Sequence, residues 1–419
     1  MYRAPRGTAD VLPEEQPYWR YVEGIARDVA RRFGYGRLDT PVFESSGLFV
    51  RGVGQVTDIV EKEMYTFEDR GGDHVALRPE GTAPVCRAYL EHGMRNLPQP
   101  VRLFYFCPIF RYDRPQAGRY RQHHQFGVEA IGDADPSVDA EIIELAWRLM
   151  SDLGLKDLSL LVNSIGDANC RPAYLEQLRA HYAARIEYLC NDCKLRLERN
   201  PLRLLDCKQP ACIEMAHEAP RTEEHLCPDC RNHWERLLGY LRGLDIPYRV
   251  EPRLVRGLDY YSRTVFEIQP PEEGGQTNIC GGGRYDGLME QLEGPPTPGI
   301  GFGAGMERII LNLKRQGVPP VEEAPLRAVV IHLGEAATER AVALASDLRS
   351  AGLGAVLAPA GRSLRAQLRY ANSMNVPYAL ILGDDELSRG VVVFRDMSRA
   401  EQREVPLENA PTALTDACE

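Results

Sequence analysis

Arginines supply the first chemical signal in this chain. In residues 101–132, VRLFYFCPIFRYDRPQAGRYRQHHQFGVEAIG, Arg111, Arg114, Arg119 and Arg121 crowd one stretch that also carries Asp113 and Glu129. Far downstream, RGLDYYSRTVFEI adds Arg256 beside Asp259, Tyr260 and Tyr261, and PGIGFGAGMERIIL adds Arg308. A guanidinium is always charged and presents a planar fork of donors. Three of them from separate elements, Arg111, Arg256 and Arg308, suit a triphosphate whose transition state spreads charge over non-bridging oxygens. Arginines sharing a face with a carboxylate suit a ligand that is both anionic and cationic. Plainer readings exist: a solvated antiparallel face for the hairpin, and a satisfied structural ion pair for Arg256. Gly299, Gly301 and Ala304 fit G-x-G-x-x-A, but no βαβ unit follows and no acidic strand end lies at the required distance. The chain contains no G-x-x-x-x-G-K-[ST] loop, so it is not a P-loop enzyme.

The elements that must hold these residues follow from periodicity. Residues 101–132 read as an antiparallel hairpin, two extended runs around a loop marked by Pro115 and Gly118. Strand alternation puts Arg121, His123, Gln125 and Glu129 on one face and Phe126, Val128 and Ala130 on the other. Helices are predicted over 14–34, from Glu80 to the Gly93 terminator, and over PSVDAEIIELAWRLMSDLG. MYTFED and HVALRP form a second hairpin turned by Gly71 and Gly72, and LSLLVNSIG a buried strand. Residues 170–245 look like an inserted, mostly helical module. TVFEIQP, a Gly-rich turn (CGGGRYDG) and a strand–helix junction at PGIGFGAGMERIIL return to the sheet. QGVPPVEEAP at 316–325 is the linker candidate. Beyond it, strands and helices alternate as in a small α/β domain with a mainly parallel sheet. Two domains are therefore expected, an α+β body over 1–320 and an α/β domain over 326–419.

Bulk properties exclude more than they assign. With 44% hydrophobic and 26% charged residues, the 419-residue chain has the composition of an ordinary globular protein. A formal net charge of −10 argues against general affinity for nucleic acid or anionic membrane, so any RNA binding must come from local basic patches. The N-terminus lacks an apolar signal region and no stretch has the length of a membrane span, so no membrane association is expected. Eleven dispersed cysteines, an odd number, fit a reducing cytoplasm better than a disulfide framework.

Six segments, in order, carry a family resemblance: LFVRGVGQVTDIVEKEMYTFEDR, LRPEGTAPVCRAYLEHG, FRYDRPQAGRYRQHHQFGVEAIG, LVRGLDYYSRTVFE, CGGGRYDGLMEQL and GFGAGMERIIL. Over essentially its whole length the chain resembles the histidyl-tRNA synthetases, which are class II aminoacyl-tRNA synthetases. RGLDYY and GGGRYDG are characteristic of the histidine-specific branch. The resemblance implies an antiparallel class II sheet with flanking helices, a C-terminal anticodon-binding α/β domain, and a cytoplasmic homodimer with TPVFES in its dimer-forming motif. It implies ligation of L-histidine to tRNA(His) through a histidyl-adenylate, with ATP as substrate and Mg2+ beside it. The alternative is a regulatory paralogue of ATP phosphoribosyltransferase, which typically loses the anticodon domain and erodes the motifs; both are kept here.

The same resemblance assigns roles. Arg111 would hold the ATP α-phosphate, Arg308 the γ-phosphate, and Arg256 the α-phosphate together with the substrate carboxylate. Glu80, Thr82 and Gln125 would hold the histidine α-ammonium, with Gly81 and Tyr260 in the same pocket. Glu129 and Tyr261 would read the two imidazole nitrogens. Asp113 would meet adenine, although the family often has the longer Glu there. Arg114 and Gln116 would meet the acceptor end of the tRNA. At position 123 a histidine replaces the aromatic common in the family and receives no role.

Two features lie outside those motifs. Cys190 and Cys193, Cys207 and Cys212, and Cys227 and Cys230 include paired C-x2-C units of the kind that hold structural zinc. Their pairs are spaced more widely than in a zinc ribbon, and members of the family dispense with them, which favours reduced thiols. Arg362, Arg365 and Arg369 fall near helical spacing, either as a solvated face or as a contribution to anticodon-stem binding.

Overall fold

The structure is a computed structural model that describes all residues except 1, 55, 56, 58, 115–117, 272–277, 321–325 and 419. The chain divides into two compact units, residues 1–320 and 321–419. Most of the linker candidate's acidic half lies outside the described residues.

The first unit is built on an eight-stranded sheet in the order Gly36–Arg37, Val101–Phe110, Gln122–Ile131, Gly299–Gly305, Cys280–Arg284, Ser262–Gln269, Ser159–Ser164, Tyr248–Val250. Its inner pairs are antiparallel and only the two edge strands pair in parallel. The predicted hairpin pairs Cys107 with Gln125 and Leu103 with Glu129. Phe126, Val128, Phe266, Ile268, Ile300 and Phe302 bury one sheet face against helices Gln16–Arg32, Pro136–Asp152, Pro228–Gly243 and Met306–Arg315. Helix Pro136–Asp152 starts at Asp135, whose side chain accepts from the Ser137 N–H at 2.9 Å, with Pro136 at the first turn.

Two expectations need correction, one in each unit. The CGGGR stretch is strand Cys280–Arg284 in the middle of the sheet rather than a turn. Glycine marks close approach there: a Cβ on Gly282 would lie 2.2 Å from the Gly301 carbonyl oxygen. Residues 170–245 are mostly helical as expected, and their helices pack on both faces of the sheet. Helices Arg171–Ala183, Asn191–Arg199 and Pro210–His217 share a cluster with the opposite sheet face, whereas Cys230, Trp234, Leu237 and Leu241 of helix Pro228–Gly243 belong to the main core. Arg284 fastens that helix further: fully buried, it pairs with Asp139, which also accepts from Thr264 at 2.6 Å and bonds His233 at 2.8 Å. Each buried charge therefore has a partner, without which it would cost several kcal/mol, roughly.

The second unit has the strand order Ala355–Leu357, Ala328–Leu333, Tyr378–Gly383, Val391–Asp396, Gln402–Pro406. The first three are parallel, but the last two pairings are antiparallel, so the sheet is mixed rather than mainly parallel. Gln402–Pro406 escapes a hydrophobicity reading because it is a largely exposed edge strand. Helix Leu364–Ser373 is capped by the Ser363 side chain. Arg365 and Arg369 line an exposed groove on it with Leu364, Leu368 and Asn372, whereas Arg362 precedes the helix. Among the described residues no helix is long and apolar enough to cross a membrane.

Candidate active site

The site lies on the sheet face opposite the main core, and four strands set its floor. Register places Glu129 beside Gly301, Gly301 beside Gly283, and Gly283 beside Val265. No side chain other than hydrogen could stand there. A Cβ on Gly301 would lie 1.8 Å from Glu129 Oε2, one on Gly303 2.1 Å from Gln125 Nε2, and one on Gly283 2.9 Å from the Tyr261 ring. The glycines thus let Gln125, Glu129 and Tyr261 lie across the floor.

Glu129 is fully buried. Its Oε1 accepts from Thr82 at 2.8 Å and from Tyr105 at 3.2 Å, and its Oε2 accepts from Tyr285 at 2.7 Å. Burial raises its pKa to about 8 against the pull of those hydroxyl donors. Gln125 donates to the Tyr105 hydroxyl at 3.3 Å. Glu80 sits at the start of helix Thr82–Glu91, where its carboxylate accepts the Thr82 and Ala83 N–H groups, each at 2.7 Å. That is a carboxylate in its favoured place at a helix N-terminus. The Tyr260 hydroxyl donates to it at 3.3 Å. Burial pushes Glu80 upward, and the two backbone donors with Arg111 oppose the rise. The rings of Tyr260 and Tyr261 lie 4.8 Å apart, and Tyr285 closes on Tyr260 at 5.9 Å. Gly81 leaves space for Tyr105, whose ring a Cβ would meet at 2.5 Å.

The cations form the other end. Arg111 Nε donates to the Pro79 carbonyl at 2.7 Å, one residue from Glu80. Arg308 Nε donates to the Gly118 carbonyl at 2.9 Å, and its Nη1 to the Asn278 carbonyl at 2.8 Å. Arg256 pairs with Glu267 and lies over Gly281, while its buried Nε has no hydrogen-bond partner among the described residues. Burial opposes the charge on Arg256, but Glu267 and Tyr261 outweigh it. Arg308 is lowered first by burial, then by Arg119 and Arg111, with Arg256 adding to the effect. Arg308 thus sits close enough to Arg111, Arg119 and Arg256 to be repelled by each. His123 lies among them, its pKa pushed down to about 3 by burial and by Arg111 and Arg308. At neutral pH it adds no charge to the array.

Several site residues escaped the sequence reading. Tyr105, Glu267, Asn278 and Tyr285 fix the candidates in place, and Arg119 joins the cations. Glu267 carried a signal, a carboxylate in the apolar strand Ser262–Gln269. Asp113 pairs with Arg119 and accepts the Arg114 N–H at 2.7 Å. Glu129 stands deeper than the hairpin arginines it accompanies in sequence, among tyrosines. Gln116 lies outside the described residues. The six cysteines do not share one site. Cys190, Cys193, Cys207 and Cys212 form one cluster, while Cys227 and Cys230 join Asp167 and Cys170 in another.

Comparison with known proteins gives the family. The histidyl-tRNA synthetase profile matches residues 7–309, and an anticodon binding domain profile matches 327–417. A histidine–tRNA ligase of Dehalococcoides mccartyi is 60% identical over 408 residues, covering 97% of this chain and 98% of the relative. One from Moorella thermoacetica is 51% identical over 414 residues, covering 99% and 97%. Among solved structures, apo S. aureus histidyl-tRNA synthetase matches with a TM-score of 0.82 at 38% identity, covering 99% of this chain and 100% of that one. An ATP phosphoribosyltransferase regulatory subunit/histidyl-tRNA synthetase from Bacillus halodurans C shares the fold, with a TM-score of 0.66, 23% identity, and 91% and 98% coverage. The antiparallel sheet and the unit that follows it define a class II aminoacyl-tRNA synthetase. The chain belongs to the histidyl-tRNA synthetase family.

Proposed function

We propose that this protein ligates L-histidine to tRNA(His) at the expense of ATP. One observation carries the reading: an array of arginines stands at one end of the site, and two buried carboxylates ringed by tyrosines stand at the other. The first step joins two anions. A histidine carboxylate oxygen attacks the α-phosphorus, the bond to the bridging oxygen breaks, and pyrophosphate leaves. Fixed cations stabilise the charge that develops, and most of the catalysis comes from their placement. Arg111 holds the α-phosphate and Arg308 the γ-phosphate. Arg256 spans the α-phosphate and the carboxylate, its unpartnered Nε being a donor available to either. A ribose hydroxyl of the tRNA end then displaces AMP from the histidyl-adenylate. Magnesium accompanies ATP.

Recognition of histidine falls to the carboxylate end. Glu80, Thr82 and Gln125 receive the α-ammonium, with Gly81 and Tyr260 shaping that corner. Glu129 and Tyr261 address the imidazole nitrogens, a donor and an acceptor at fixed separation. An amino acid lacking them would leave buried polar groups unpaired, which is how such a site rejects it. Arg114 and Gln116 meet the acceptor end, and the 326–419 domain takes the anticodon region through helix Leu364–Ser373. Asp113 is held by Arg119, which leaves adenine contact to its remaining acceptor capacity. The molecule works in the cytoplasm as a homodimer. Exposed Val42, Phe43 and Phe67 around the small sheet Phe43–Ser45, His74–Leu77, Tyr65–Glu68 support the dimer.

The regulatory-paralogue alternative is weaker. Relatives 60% and 51% identical, with near-complete coverage, are named histidine–tRNA ligases, and the arginine array is intact. Histidine-dependent ATP–pyrophosphate exchange without tRNA tests the choice. A ligase shows exchange; no exchange with folded protein would reject this reading.

A further inference from the structure

Seven of the eleven cysteines fall between positions 170 and 230, and the fold sorts them, with Asp167, into two tetrads. In the first, one sulfur each from Cys190, Cys193, Cys207 and Cys212 lies within 4.8 Å of every other. Cys190 Sγ and Cys207 Sγ are 3.8 Å apart. A zinc ion with Zn–S bonds of about 2.3 Å in a regular tetrahedron spaces its sulfurs at about 3.8 Å. A disulfide needs about 2.0 Å, and all these cysteines are free. Cys190 caps helix Asn191–Arg199 and Cys193 stands in its first turn. The Cys190 N–H points at Cys212 Sγ at 3.5 Å, the orientation that supports a thiolate.

The second tetrad is assembled from two distant segments. Asp167 and Cys170 follow strand Ser159–Ser164, and Cys227 and Cys230 open helix Pro228–Gly243. Their four ligand atoms also lie within 4.8 Å of one another. Asp167 Oδ1 is 3.6 Å from Cys170 Sγ and 4.0 Å from Cys227 Sγ. The other oxygen, Oδ2, faces Arg263 at 3.4 Å, which fixes the carboxylate's orientation. The Asp167 N–H points at Cys170 Sγ at 3.4 Å. At the bend, Gly166 has φ +66°, and a Cβ there would lie 2.7 Å from the same sulfur. Reduced cysteines packed as small hydrophobes have no reason to gather as a four-sulfur knot, nor to enclose a carboxylate with three sulfurs. Thiolate-rich tetrahedral sets select zinc among common divalent ions. An iron–sulfur cluster places several irons and sulfides between its thiolates, and these separations leave room for one ion.

We propose that each tetrad binds one zinc ion, so that the chain carries two structural zinc sites flanking the segment that presents Tyr261. The second site is tied to that segment directly. Arg171, next to Cys170, donates to the Tyr261 carbonyl at 2.7 Å and to the Gly166 carbonyl at 3.0 Å. The Arg263 N–H donates to the Gly166 carbonyl at 2.7 Å, and Ile165 N–H returns to the Arg263 carbonyl at 2.8 Å. From the first site's side, Asn200 donates to Asp259 at 2.7 Å. The ions would thus brace residues 256–263 from behind. Only this bracing role rests on the function proposed above; the metal content does not.

The experiment is elemental analysis of tag-free protein, purified without added metal, with native mass spectrometry of the same sample. Two zinc ions per chain are expected. Cys190→Ser with Cys193→Ser should remove one, and Cys227→Ser with Cys230→Ser the other. Should either double variant fail to fold, stepwise modification of the wild-type thiols should release zinc in two stages, and cobalt substitution should give thiolate-to-metal absorption from two sites. Zinc below about a tenth of an equivalent, one ion only, or iron in its place would overturn the assignment. For the bracing role, loss of the Asp167-site ion should raise the histidine KM in exchange several-fold and leave the ATP KM unchanged. An unchanged histidine KM would overturn that role while leaving the metal count standing.

Discussion

The two ends of the site are held by opposite means. At the cationic end, Arg111 and Arg308 rest on backbone carbonyls, which orient a guanidinium without neutralising it. At the carboxylate end, Glu129 takes hydrogen bonds from Thr82, Tyr105 and Tyr285, and Glu80 from a helix N-terminus. Charge is left exposed to a ligand in the first case and screened by neutral donors in the second. The difference suits the proposed division of labour, with arginines for a polyanion and buried carboxylates for recognition by hydrogen bonding. Arg256, paired to Glu267 and lying 5.9 Å from the Tyr261 ring centroid, bridges the two ends.

Breaking the bridge should have the largest effect. Arg256→Ala is expected to lower histidine-dependent pyrophosphate exchange by about a thousandfold, the scale of losing a transition-state donor, with an unaltered far-ultraviolet circular dichroism spectrum. Exchange within tenfold of wild type would remove Arg256 from the chemistry. Next comes the floor of the carboxylate end. Gly301→Ala puts a methyl group where Glu129 Oε2 now lies, so the histidine KM should rise at least about tenfold while ATP binding persists; one displaced buried hydrogen bond accounts for that much.

Glu129→Gln sharpens the comparison through pH. The folded pKa of about 8 stands above the ordinary carboxyl value of 4.5, so the folded state holds an extra proton between those values. Stability therefore falls as pH rises across that window, because the unfolded chain binds fewer protons. Glu129→Gln should flatten this slope and melt higher than wild type at pH 8, by a few degrees. A wild-type melting temperature flat from pH 5 to 8 in this respect, matched by the variant, would contradict the buried carboxylate's part in it. The smallest effect lies in the other unit: Arg365→Ala with Arg369→Ala should weaken tRNA binding several-fold and reduce its logarithmic salt slope by about 0.7–0.9 per lost phosphate contact.

Much of this arrangement was legible in local pattern. The hairpin 101–132 alternates with a period of two, so its pocket-facing residues Gln125 and Glu129 could be read directly. Arg111, Arg256 and Arg308 stood out because each carries charge within or beside an apolar element. CGGGR misled, because glycine in isolation signals a turn, and its real use, clearance for Tyr261 and Arg256, exists only once neighbouring strands are in register. Tyr105 and Tyr285 were missed for the same reason: each looks like an ordinary core aromatic until the chain folds onto Glu129. Spacing found the two C-x2-C units, but their partners Cys170 and Asp167 come from a loop nearly sixty residues away from Cys227, a pairing that no local pattern encodes.

Titration calorimetry of histidine and of ATP, each added alone to Glu129→Gln and to Arg308→Ala, tests the division of labour most directly. A crossed pattern is predicted: Glu129→Gln loses histidine affinity and keeps ATP, whereas Arg308→Ala loses ATP affinity and keeps histidine. Equal losses of both ligands in both variants, or the reverse pattern, would contradict it.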